Sequence, residues 1–92
     1  MRQTYGARFS HGYQFPRTNS ARLERGEPIA REDVPGVGVV EIVPLTGGRR
    51  RQWDVCAVWT DRDGNGYSST YIATDELEAR AEFVKLIREL RP

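Results

Sequence analysis

Cysteine, histidine and lysine are almost absent from this chain, with one of each (Cys56, His11, Lys85) in 92 residues. One cysteine allows no internal disulfide, and a lone thiol and a lone imidazole do not make the ligand spacing of a structural or catalytic zinc site. No apolar run approaches the roughly 18 residues of a membrane-spanning helix. The opening stretch MRQTYGARFS lacks the apolar core of a secretory signal. No glycine-rich segment leads from a strand into a helix to cradle phosphate, and neither an internal repeat nor a low-complexity tract is present. The acids fall in turns or on the outer face of a helix, and Cys56 sits mid-strand with no sequence-local partner. The expectation is one small, cytoplasmic domain with no cofactor, no catalytic residue and no membrane contact.

What is abundant is arginine, with 13 among the 14 basic residues. A high-GC genome accounts for such a bias, and phosphate recognition by guanidinium is the functional alternative. A net charge of +1 speaks against a dominant nucleic-acid field. The charge is uneven, however: residues 1–31 carry a net +4 and residues 32–92 a net −3.

The periodicity is clearest at the C-terminus. Over Glu76–Arg91, a 100° wheel places Ala79, Phe83, Val84, Leu86, Ile87 and Leu90 on one stripe, the pattern of an amphipathic helix. Glu78, Glu82, Lys85 and Glu89 lie opposite. Asp75 is placed as N-cap, and Glu78 completes a capping-box pattern. Burying the large apolar side chains of the stripe contributes about 8–15 kcal/mol gross, against about 1–2 kcal/mol per ordered backbone residue. The helix therefore needs a sheet to lie on. Three strands upstream supply it: Val37–Leu45, Gln52–Thr60 and Tyr67–Thr74, with turn signals at Thr46-Gly47-Gly48 and Asp63-Gly64-Asn65-Gly66. Short connections favour consecutive antiparallel pairing. The fold class expected is α+β: a three- or four-stranded antiparallel meander with one C-terminal helix on one face, preceded by an irregular N-terminal arm. Residues 1–36 are the arm and connector, and residues 37–92 the β-β-β-α core of a single domain.

Two segments precede the core. Tyr5, Phe9, Tyr13 and Phe15 all fall on odd positions, which puts them on one side of an extended segment. Such a segment joins the sheet as a strand, lies on the core, docks into a protein partner, or stacks on bases while Arg2, Arg8 and Arg17 meet phosphates. From Pro16 to Pro35 the chain reads as connector, with short helical turns expected at Ala21–Arg25 and Ile29–Asp33 and a turn at Pro35-Gly36.

Three features carry what chemistry there is. Asp61-Arg62-Asp63-Gly64-Asn65-Gly66 matches the opening of an EF-hand-type calcium loop, with Asp61, Asp63 and Asn65 as the first ligand positions. The match fails at position twelve, Ile72, where a bidentate Glu is required. The same residues suit a tight hairpin, which is the reading preferred here. Arg49-Arg50-Arg51 follows two glycines at a hairpin tip, where three guanidinium groups must be solvated or bound to anions. A small sheet backed by a helix is also the layout some DNA-binding domains use to put a sheet into the major groove, although architecture does not give function. Finally, if Trp53, Val55, Ala57 and Trp59 face the helix with Tyr67 and Tyr71, the other face shows Asp54, Cys56, Val58, Thr60, Ser68 and Thr70. That face is either solvated or covered by the N-terminal segment. The function expected is a small non-enzymatic protein that binds another protein, as regulator, inhibitor or assembly subunit. The alternative is nucleic-acid binding by Arg49–Arg51 and the arm (Arg2, Arg8, Arg17, Tyr5, Phe9, Tyr13). Self-association through sheet edges is open.

Overall fold

The structure, a computed structural model, describes residues 2–8, by their backbone course, and residues 24–91. In chain order the elements are β1 (Arg2–Arg8), β2 (Glu24–Arg25), β3 (Ala30–Val34), β4 (Gly38–Thr46), β5 (Gln52–Thr60), β6 (Asn65–Ala73) and α1 (Glu76–Leu90). The expected meander is β4-β5-β6, every pairing antiparallel, and α1 packs across one face of it.

The sheet extends beyond the meander at both edges. It curls, and its order is β1-β6-β5-β4-β2, with β3 also on β4. Over Arg2–Arg8 the N-terminal arm takes the strand alternative and joins the sheet. It is a strand pairing residue for residue with β6, from Arg2 opposite Tyr71 to Arg8 opposite Asn65, through Gly6 opposite Tyr67. The helical turn expected at Ile29–Asp33 is also corrected, because Ala30–Val34 is strand β3. Of the turn expected at Ala21–Arg25, the described part, Glu24–Arg25, is extended as β2. The physical reason is common to both: β4 offers an open row of backbone donors and acceptors, and pairing with it outweighs weak local helical signals. The edge breaks between β2 and β3 opposite Pro44, which has no N–H to offer. Gly26 N–H reaches the Pro44 carbonyl at 2.9 Å and Ile29 N–H the Ile42 carbonyl at 2.9 Å, bracketing the gap.

The turns follow from their residues. Pro35 and Gly36 occupy the central positions of a turn closed by Val37 N–H on the Val34 carbonyl at 3.0 Å, with Gly36 at φ +73°; Pro then positive-φ Gly is the type II signature. Immediately afterwards Gly38 lies so close to β5 that a Cβ would sit 2.0 Å from the Val58 carbonyl oxygen.

Register decides the faces. Trp53, Val55, Ala57 and Trp59 stand opposite Ala73, Tyr71, Ser69 and Tyr67, and this is the helix-facing side, as expected. Its core is Val40, Ile42, Val55, Ala57 and Ala73 under Ala79, Leu86 and Ile87, with Trp53, Trp59, Tyr71, Phe83 and Leu90 packed around it. Trp59 and Tyr67 stack at 5.7 Å, 19° from parallel. Val84 departs from the expected stripe, being 45% exposed, because the sheet contacts a narrower arc of the helix than the wheel allows. The capping box is half made: Asp75 accepts from Glu78 N–H at 2.7 Å, while the Glu78 carboxylate takes the Tyr71 hydroxyl at 2.9 Å. Cap and cross-element bond together fix where the helix leaves the sheet.

Candidate contact site

Arg49, Arg50 and Arg51 all lie exposed in the β4–β5 connection. Gly47, at φ +96°, starts the reversal, a conformation favoured by glycine. Among the described residues, no hydrogen bond or ion pair engages the three guanidinium groups. One carboxylate stands near the tip: Glu24, exposed on β2, is opposite Thr46. The tip is therefore a concentrated positive point with an acid beside the strand that leads into it.

The arm does not add one continuous basic patch to this tip. In β1, Arg2 is placed opposite Tyr71, towards the tip end, and Arg8 opposite Asn65, at the far end of the sheet. Tyr5 is placed opposite Ser68. Phe9, Tyr13, Arg17 and His11 lie outside the described residues.

The Asp61 loop is a hairpin turn. Strands β5 and β6 flank it. One Asp61 carboxylate oxygen accepts from the Asp63 and Asn65 amides, both at 2.9 Å; the other accepts from Asn65 Nδ2 at 3.1 Å and the Tyr67 hydroxyl at 3.0 Å. Desolvation alone would raise the Asp61 pKa, but these donors, Asn65 foremost, outweigh it and hold the carboxyl below its ordinary value. Tyr67 is correspondingly raised by donating to Asp61. The candidate calcium ligands Asp61 and Asn65 are thus bonded to each other and to the loop, and Asp63 is exposed. Among the described residues no group of three metal-ligating side chains converges.

The face away from α1 carries a polar constellation that the sequence pattern did not single out. Its centre is buried, with Val43, Leu45, Cys56 and Val58 inside, while Arg31 at the β3 edge is exposed. Across it runs a row, Thr70–Cys56–Glu41–Arg31, one residue from each of β6, β5, β4 and β3. Asp54 lies beside the row, and its side chain is 1% exposed. Thr70 Oγ1 donates to Asp54 Oδ1, and Arg25 Nη1 meets Asp54 Oδ2 at 2.5 Å. Arg25 Nη2 contacts Cys56 Sγ at 3.3 Å, and Arg31 Nη1 meets Glu41 Oε2 at 3.2 Å. Burial and the negative charge of Asp54 push the Cys56 thiol up to about 12, against the pull of Arg25. That makes it a poor nucleophile at neutral pH. Burial disfavours the Arg25 charge, but its bonds to Cys56 and Asp54 win and raise its pKa. Chemically the constellation bolts β2 onto β5. The only sequence signal for it was an acid, Asp54, mid-strand on the face away from the helix, and it needed Arg25, 29 residues away, to make sense.

No protein-family model, no curated protein and no solved structure matches this chain. Among the described residues, no helix is long and apolar enough to cross a membrane.

Proposed function

We propose that this chain is a small non-enzymatic binding protein of the cytoplasm that works by contact with another protein, with Arg49–Arg51 as the contact point. The observation that carries this reading is three adjacent exposed guanidinium groups without an intramolecular partner among the described residues. Adjacent arginines at a hairpin tip suit bidentate recognition of carboxylates. The acid beside the tip favours a protein over a polyanion. A nucleic-acid backbone laid across the tip would press phosphates towards Glu24, whereas a discrete acidic patch on a protein meets the arginines alone. Burial of the centre of the sheet face away from α1 also weighs against a sheet-in-groove approach to DNA.

The test is capture of partners from the native host by the wild type and by an Arg49→Ala/Arg50→Ala/Arg51→Ala variant, alongside mobility-shift titration with duplex and single-stranded nucleic acid. The expected result is a partner lost, or bound at least about tenfold more weakly, by the variant, and no shift at low salt. A shift whose affinity falls steeply between about 50 and 200 mM salt would replace this reading with the nucleic-acid one. A variant that retains every partner would reduce the tip to a solvated turn.

A further inference from the structure

We propose that two copies of this chain form a two-fold symmetric dimer by antiparallel pairing of their β3 edges about Glu32. Strand β3 pairs with β4 on one side, and no described strand pairs with its other side. An unpaired edge is a template for a further strand unless its side chains oppose it. Here they select one register. Centred on Glu32, antiparallel pairing sets Arg31 of each copy opposite Asp33 of the other, so the complementary pair forms twice, as an isologous interface requires. Centring on Arg31 would oppose two arginines, and centring on Asp33 two aspartates. Both side chains reach solvent, Arg31 at 57% and Asp33 at 74% exposure. Arg31 Nη1 holds Glu41 Oε2 at 3.2 Å, while its Nη2 stands 3.7 Å from Asp33 Oδ1 of the same copy and is the end that exchanges this long contact for Asp33 of the second copy.

On the helix-facing side the same register brings the two Glu32 side chains together. Each already has a cation, Arg91 Nη2 at 3.1 Å from Glu32 Oε2, which offsets the repulsion. Val84 lies two helical turns before Arg91, on the flank of α1 that reaches β3. Val84 and Ile29 are two of the three exposed large apolar side chains among the described residues, and Ile29 immediately precedes β3. The edge and its charge order fit a second copy of this chain, independently of what the Arg49–Arg51 tip binds.

Sedimentation velocity over a concentration series, with variants checked for folding by circular dichroism, tests this. The wild type is expected to shift from monomer to dimer with concentration. Asp33→Arg sets arginine against arginine twice and should weaken the dimer about tenfold or more. Arg91→Ala should weaken it less. Register is read by Glu32→Cys: directly opposed residues have Cβ atoms about 4.5–5.5 Å apart, close enough for a disulfide after small adjustment. Under mild oxidation this variant should give covalent dimer much faster than Arg62→Cys at an exposed turn. A wild type that stays monomeric at every concentration, an Asp33→Arg variant that sediments like it, or Glu32→Cys cross-linking no faster than Arg62→Cys would each overturn the dimer.

Discussion

Removing Arg25 should cost more stability than neutralising the carboxylate it binds. Asp54 is fully buried and accepts from two groups, Arg25 and Thr70. In Arg25→Ala the carboxylate keeps one donor and loses its countercharge. Breaking a wholly buried ion pair from one side costs about 3–5 kcal/mol. The Arg25 side chain is 25% exposed, so water reaches part of the gap, and about 2–4 kcal/mol is the better figure. In Asp54→Asn the amide oxygen still accepts from Thr70, and Arg25 can turn its charge towards solvent, so about 1–2 kcal/mol is expected. For a chain of this length, total stability is about 5–14 kcal/mol, so the first variant removes a large share of it. Urea unfolding followed by Trp53 and Trp59 fluorescence, extrapolated linearly to water, measures both. The double variant Arg25→Met/Asp54→Leu should recover much of the loss, because apolar replacements leave no buried charge behind. If Arg25→Ala costs less than Asp54→Asn, the pair is not what holds β2 to β5.

Three further outcomes follow from the same structure. Gly38→Ala drives a methyl group into β5 backbone and should destabilise by about 2–4 kcal/mol. Gly36→Ala meets nothing within 4 Å and suffers only its positive φ, about 1–2 kcal/mol; equal costs in urea unfolding would refute the close approach at Gly38. Ser69 Oγ is buried without a hydrogen-bond partner among the described residues, so Ser69→Ala should raise stability by about 0.5–1.5 kcal/mol, seen as a higher melting temperature. Because folding raises the Cys56 pKa to about 12, from an unfolded value near ~8.5, its contribution to stability is complete below the unfolded value and declines as pH climbs towards the folded one. Cys56→Ala should flatten that alkaline decline. Wild-type Cys56 should react with a thiol reagent at pH 8 only at the rate of unfolding, and rapid native labelling would contradict its burial.

Much of the core was legible along the chain because its information is local. The spacing of Ala79, Phe83, Leu86, Ile87 and Leu90, the Asp75 cap, the alternation from Trp53 to Trp59 and the glycine turns each act within a few residues. They specify the three-strand meander, its helix and which sheet face the helix covers. Positions that depend on partners far away were not legible. Whether Ala30–Val34 coils or extends was settled by the open backbone of β4, and the end of β6 by the Asp61 carboxylate, which pulls Asn65 into the strand and confines the turn to Asp61–Gly64. The exposure of Val84 reflects the width of the sheet beneath it.

By itself, the sequence determined one small α+β core with an arginine tip, because periodicity and turn chemistry act between near neighbours. Only the tertiary structure decided that Asp54 is bolted to Arg25, that Gly38 must lack a side chain, and that β3 lies at an edge of the sheet among the described strands, with a charge order complementary to its own. Those properties belong to groups brought together across strands, and no spacing along one strand encodes which strand will lie beside it.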